Sequence, residues 1–218
     1  MTRGVSGGEG DEGAGGAITP RNRPTQLRSQ KRVEMILDAA AEILEHEGPD
    51  ALNTNRIARA SGVPVASLYH YFPNKHAILA ALCERWLDGV VAAINAAEAR
   101  CPPEAGLAAF MDACMDSLAE SYLNTPGLES LMQVMAVLPE LRAIEDQHDE
   151  RVVGRLAGLL GRGGIGASAA DRVLISEILL LGGHPLLVMV RGKSEAERLR
   201  AFQEVKLLWR SYLKTHLG

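Results

Sequence analysis

Apolar residues recur at three- and four-residue steps along most of this chain, the signature of helices that bury one face. Val33, Ile36, Leu37, Ala40, Ile43 and Leu44 form the first stripe, and the pattern halts at Gly48-Pro49. Asn53 is a good N-cap for a short helix carrying Ile57, Ala58 and Ala60, which Gly62 breaks. Pro64 opens a second short helix to about Tyr71, since proline is tolerated at a helix start. Pro73-Asn74 stops that helix, and Asn74 caps a long one over 75–98 with Ile78, Leu79, Leu82, Trp86, Leu87, Val90 and Ile94 on one stripe. Beyond it the spacing predicts helices over 104–123, 127–137, 139–161, 168–190 and 195–215. Pro102-Pro103, Thr125-Pro126-Gly127, Pro139 and the glycine-rich stretch 161–166 separate them. Ser194 and Glu197 stand in capping-box register before the last helix. No segment reads as a strand, so the predicted fold class is all-α, with about nine helices.

Residues 1–26 are rich in glycine and show no apolar period, so they are expected to be disordered. The formal charge of −4 is unevenly spread: residues 21–75 are the only net-positive part. Arg21, Arg23, Arg28, Lys31 and Arg32 occur there before the first acid, Glu34. A basic arm of this kind suits phosphate, or is simply a solvated tail. Cys83, Cys101 and Cys114 are odd in number and lack metal-site spacing, which argues for a reducing compartment. No signal-peptide pattern precedes the first helix. The apolar run Ile178–Val190 is about two-thirds of a membrane span and is interrupted by Gly182, Gly183 and His184, so a buried helix is expected there. The expected location is cytoplasmic, with no membrane.

The informative stretch runs from Asn53 to Lys75. Two short helices meet at a tight glycine turn. Ile57, Ala58, Val63, Leu68 and Phe72 are placed to point inward, with Leu68 and Phe72 one turn apart on the second helix. The opposite face then holds Val65, Ala66, Tyr69 and His70, with Ser67 and Tyr71 at its flanks. Small residues at the start of that helix let its backbone approach base edges, and a helix N-terminus favours phosphate. This is how a helix-turn-helix sets its second helix in a major groove, although a glycine turn alone fits a plain helical hairpin equally well.

The segment resembles the TetR-like (TetR/AcrR) family of bacterial transcription regulators. The matching residues are Ile57-Ala58, Gly62-Val63, Leu68-Tyr69, Tyr71-Phe72, and Lys75 followed by Ile78-Leu79, and the resemblance covers about residues 30–90. It implies three parts: an N-terminal arm (1–26), a three-helix DNA-binding domain (27–90, motif about 53–72), and a larger helical ligand-binding and dimerisation domain (91–218). By the same resemblance, Thr54 and Lys75 match phosphate contacts and Asn55 a position that reaches a base. Val65, Ala66, Ser67, Tyr69 and His70 match exposed recognition-helix positions, and Tyr71 a backbone contact. The recognition helix lacks Arg, Lys, Gln and Asn, so its direct readout of guanine is expected to be weak. Pro64 stands where a serine cap is commoner. The implied partners are double-stranded operator DNA, a second copy of the chain and a small hydrophobic effector.

In the C-terminal half, the helices near 168–190 and 195–215 are very apolar, and Leu199, Phe202, Val205, Leu208, Trp209 and Tyr212 form a stripe on the last. Two such hairpins from two protomers make a four-helix interface. Met111, Cys114, Met115, Met132 and Met135 cluster in sequence and, with His184, are the ligand-binding candidates. Thioethers suit an adaptable pocket as well as a loosely packed core. No catalytic motif, cofactor signature or metal spacing is found, so an enzyme is not expected. Asp146, His148 and Asp149 lie close together but read as solvated on a charged helix.

Overall fold

The computed structural model describes residues 27–101 and 105–217. The expected disordered arm, with Arg21 and Arg23, lies outside these residues. Nine α-helices and one 3₁₀ turn (Pro49–Ala51) are found among them: α1 (Leu27–Glu47), α2 (Thr54–Ser61), α3 (Val65–Tyr71), α4 (Lys75–Arg100), α5 (Gly106–Leu123), α6 (Leu128–Val137), α7 (Pro139–Arg162), α8 (Ala169–Arg191) and α9 (Glu195–Lys214). Among the described residues the only β-type pairing is one isolated bridge between Ile165 and Leu217. The all-α expectation holds.

The helix starts follow local chemistry. The Asn53 side chain accepts from the Arg56 amide at 2.9 Å and the Asn74 side chain from the Ala77 amide at 2.9 Å. Each satisfies an amide that has no partner within its own helix. Ser194 and Glu197 complete the capping box of α9. Pro64 makes no side-chain cap; its φ of −54° feeds directly into α3. Gly62 ends α2 in the left-handed region at φ 69°, where a side chain is strained.

α1, α2, α3 and the first turns of α4 share one core. Ile36, Leu44, Ile57, Leu68, Phe72 and Ile78 lie in it almost free of solvent. Losing a side chain such as Phe72 from a core of this kind costs about 3–5 kcal/mol. α4 continues unbroken to Arg100, so the boundary expected near residue 90 falls inside one helix. Its distal half packs against α5 and α7, and α7 lies along α8.

Polar ties join the first unit to the rest. Arg85 on α4 reaches Asp38 at 2.8 Å and Glu34 at 3.2 Å on α1. Glu45 on α1 accepts from the Gly127 amide at 2.6 Å, at the start of α6, and from Arg191 at 2.8 Å, at the end of α8. The Ser130 hydroxyl donates to the Leu44 carbonyl at 2.9 Å. Gly127 has φ 70°, and a Cβ there would lie 2.6 Å from the Ala41 carbonyl oxygen and 2.8 Å from the Leu44 Cβ. The glycine lets α6 seat directly on α1.

α8 is not buried all round, unlike the buried helix expected over the run 178–190. Ile175, Leu179, Leu180, Leu187 and Val190 point inward, but Leu174, Ile178, Leu181 and Met189 are exposed along the opposite side of α8. At 23 residues α8 is long and apolar enough to cross a membrane by length and composition alone, longer than the apolar run suggested. The α9 stripe divides as well: Val205 and Trp209 enter the core, while Leu199 and Leu208 are exposed, together with Leu207.

Candidate nucleic-acid interface and the cavity behind it

The seven-residue helix α3 presents one face outward. Val65, Ala66, Tyr69 and His70 are exposed and Ser67 is half-buried beside them. Leu68, on the other side, is fully buried. Tyr71 departs from the expected flank position: it is 5 % exposed and packs inward. The reason is helical geometry, since Tyr71 and Phe72 stand three and four residues after the buried Leu68 and share its side. Tyr71 therefore helps hold α3 in place, and the expected flank position is corrected to an inward one.

Thr54, at the start of α2, is also largely buried, and its hydroxyl lies 3.0 Å from the Tyr69 hydroxyl. Two hydroxyls hold two hydrogens, and the mutual bond uses one. The other remains available at the α2–α3 edge for an external acceptor. Asn55 is exposed next to this pair. Lys75, exposed at the start of α4, and Arg59, exposed on α2, have no acidic partner among the described residues. Arg56 is paired with Glu47. Arg28, Lys31 and Arg32 are exposed on the first turns of α1. The surface thus combines small, aromatic and hydroxyl groups on α3 with unpaired cations around it. Such cations bind phosphates, and the α3 groups suit thymine methyls and base edges.

Behind this unit lies an apolar cavity of about 50 Å³ between α4, α5, α7, α8 and α9. Met111, Cys114, Met115 and His184 line it, joined by Val90, Ile94, Tyr122, Val152 and Trp209. Met132 and Met135 do not. They sit on α6, where Met135 is buried, because the Pro126-Gly127 turn redirects the chain between the two methionine pairs. Burial pushes the Cys114 thiol up to about 12, so it is an apolar lining group and no nucleophile at neutral pH. Burial, with His148 nearby, lowers His184 to about 4, so its ring is neutral. The rings of Trp86, Tyr122 and His184 meet edge to face, with centroids 5.5–5.8 Å apart. Neither Trp86 nor Tyr122 is marked out as a site residue by the sequence, where Trp86 stands only as one member of the α4 stripe. His148 and Asp149 also differ from expectation. His148 is 1 % exposed and Asp149 half-buried, while Asp146 is solvated as expected. Among the described residues no group of three or more His, Cys, Asp and Glu could hold a metal.

Comparison with known proteins bears on this geometry directly. The model for bacterial regulatory proteins of the tetR family matches residues 36–82, and that for the tetracyclin repressor-like C-terminal domain matches residues 106–213. The chain belongs to the TetR family. It is therefore a DNA-binding transcription regulator with a helix-turn-helix, formed by α2 and α3, and the family consists of regulators rather than enzymes. A curated relative, the nucleoid occlusion factor SlmA of Actinobacillus pleuropneumoniae, is 28 % identical over 143 residues, covering 65 % of this chain and 67 % of its own. Among solved structures, a TetR-family transcriptional regulator from Streptomyces coelicolor aligns with a TM-score of 0.65 at 24 % identity, over 88 % of this chain and all of the other. A TetR transcription regulator from Haloarcula marismortui gives 0.66 at 21 % identity, over 87 % of this chain and all of the other. These two likenesses concern the fold.

Proposed function

We propose that this TetR-family regulator is a ligand-responsive repressor that binds a palindromic operator as a homodimer and works in the cytoplasm, where its DNA is. The observation that carries the reading is the exposed α3 face, Val65, Ala66, Tyr69 and His70, next to the Thr54–Tyr69 hydroxyl pair and the unpaired Lys75. In this reading Asn55 and the α3 face read bases with Ser67 at the edge, and Lys75, Thr54 and Tyr69 fix the phosphate register.

The second copy docks on α8 and α9. Leu174, Ile178 and Leu181 lie at successive turns of α8, and Leu207 and Leu208 are exposed on the neighbouring α9. A monomer rarely leaves so many large side chains in contiguous contact with water. Two copies packed by this face form a four-helix bundle and carry two α3 helices to two half-sites, one DNA turn apart.

The effector enters the cavity behind α4. A chamber of about 50 Å³ is far smaller than the roughly 300 Å³ or more of typical ligand pockets. Filling it must move α4 against α5, α7 or α8, and α4 begins at Lys75. Ligand then favours a state in which the two reading helices no longer match their half-sites.

Fluorescence anisotropy of the purified protein on its own upstream intergenic DNA, with scrambled competitor across a salt series, tests the first claim. Tight binding that survives competitor is expected. Loss to scrambled DNA at equal concentration would refute operator recognition there.

A further inference from the structure

A second, larger hollow lies apart from the apolar chamber. It has about 260 Å³ and sits where the two parts of the chain meet. α1 and α4 bound it on one side, and the end of α5, the turn 124–127 and α6 on the other. Typical ligand pockets begin at roughly 300 Å³, so a small molecule enters with little adjustment. Leu82, Trp86 and Leu131 give it apolar wall. Gly89 lines it from the interior of α4, on ordinary helical backbone. A glycine there makes the helix less stable than an alanine does. A Cβ on Gly89 would meet only the Ser121 Oγ among the described residues, at 3.6 Å, an ordinary contact. Neither backbone nor close packing therefore requires the glycine. A side chain in its place would fill the hollow that Gly89 and Ser121 both line.

The polar part of the wall holds open donors. The Ser121 hydroxyl and the Asn124 side-chain amide make no hydrogen bond among the described residues. Arg85 uses one nitrogen, Nη1, for both Asp38 and Glu34, which leaves its Nε–H and Nη2 donors open. Two acids already balance Arg85, so an anion finds no positive charge to spare. Asp38, the one carboxylate on the wall, already holds Arg85, and a cation brings no acceptor for the open donors. We infer that this hollow is a binding site for a small neutral ring compound with acceptor oxygens, of the lactone or cyclic-ketone kind. Its ring lies on the Trp86 and Leu82 wall, and its oxygens accept from Asn124, Ser121 and Arg85. Such an occupant touches both parts of the chain at once. The site is separate from the chamber and stands without the effector reading.

The chain has two tryptophans, which report on the two cavities separately: Trp86 lines this hollow and Trp209 the chamber. Their indole N–H signals are followed by nuclear magnetic resonance in nitrogen-15-labelled full-length protein, with Trp209→Phe to assign them. Four bicyclic probes are titrated in: coumarin (neutral, with acceptor oxygens), naphthalene (no acceptor), N-methylquinolinium (cation) and 2-naphthoate (anion). Coumarin is expected to shift the Trp86 signal and to bind at least tenfold more tightly than the other three. Gly89→Leu, checked for folding by circular dichroism, is expected to abolish that shift. Ser121→Ala with Asn124→Ala is expected to weaken coumarin at least fivefold. Coumarin binding that survives Gly89→Leu, or that moves the Trp209 signal alone, would overturn the site. Equal affinity for coumarin and naphthalene, or tighter binding of either ion, would overturn the ligand class. Two indole signals unmoved by millimolar coumarin would overturn the inference outright.

Discussion

The seat of α6 on α1 makes a quantitative prediction through a pair of glycines. Gly62 and Gly127 have nearly the same backbone, φ 69° and φ 70°, but different surroundings. A Cβ on Gly62 meets nothing within 4 Å, whereas one on Gly127 lies 2.6 Å from the Ala41 carbonyl oxygen and 2.8 Å from the Leu44 Cβ. Both alanine variants incur the left-handed strain, about 1–2 kcal/mol. Only Gly127→Ala also collides with helix backbone, which no rotamer change relieves. α6 must lift from α1, loosening the buried Leu44, Leu128 and Leu131 and lengthening the Gly127–Glu45 bond. Overpacking of this kind costs about 1–3 kcal/mol more. The expected destabilisation is thus roughly 1–2 kcal/mol for Gly62→Ala and about 2–5 kcal/mol for Gly127→Ala, a large share of a typical 5–15 kcal/mol stability. Urea unfolding followed by far-ultraviolet circular dichroism, compared at constant slope, reads the difference as a shift in midpoint. A Gly127→Ala midpoint no lower than that of Gly62→Ala would refute the close approach of α6 to α1.

Three further outcomes are expected. Tyr69→Phe removes one hydrogen from the Thr54–Tyr69 pair and weakens operator binding roughly fivefold to tenfold, while Lys75→Ala lowers the slope of log affinity against log salt by about one for each phosphate left without its cation; unaltered anisotropy titrations for both would sink the assignment of this surface. Leu181→Glu together with Leu208→Glu converts the proposed dimer to monomer in size-exclusion chromatography with light scattering, and a persisting dimer would move the interface elsewhere. Stability against pH holds two opposing branches. His184, lowered to about 4, loses stability as pH falls from 6.5 towards 4, because the unfolded chain binds the proton first. Asp149, raised to about 6 by burial and then by Glu145 and Asp146, gains stability as pH falls from 6 towards its ordinary value of 3.8. Asp149→Asn therefore steepens acid destabilisation and His184→Phe reverses it; parallel thermal-melt profiles for all three proteins would contradict both shifts.

The helices are legible in the sequence because stripe and punctuation agree. Asn53, Asn74 and the Ser194–Glu197 pair cap the helices their positions announce. The reading face of α3 is legible through Leu68 and Phe72, whose burial leaves Val65, Ala66, Tyr69 and His70 outside. The same geometry places Tyr71 inward: the phenol's polarity suggests a flank, but its three-residue step from Leu68 decides its side. The two methionine pairs are close in sequence, but Pro126-Gly127 turns the chain, and Met132 and Met135 end on another packing surface. His148 and Asp149 are hidden by composition. A charged helix suggests solvation, yet Leu141, His148, Val152 and Leu156 form one inward row on α7. That row is present in the sequence as steps of seven, four and four residues. The contacts of Glu45 with Gly127 and Arg191 span 82 and 146 residues of sequence, and no local pattern announces such a meeting.

Glu45 also sets the mechanical character of the molecule. It grips the C-terminal end of α8 through Arg191, while the remainder of that helix carries the apolar face proposed to meet a second copy. A 23-residue helix is a rod of about 35 Å. A tilt of roughly five degrees about one end swings the other by about 3 Å, the length of a hydrogen bond. In the proposed dimer, α8 is a lever arm hinged at the second copy with its tip tied to α1, so a displacement too small to disturb a packed core at the fulcrum would be enough, at the tip, to take α3 out of the proposed register.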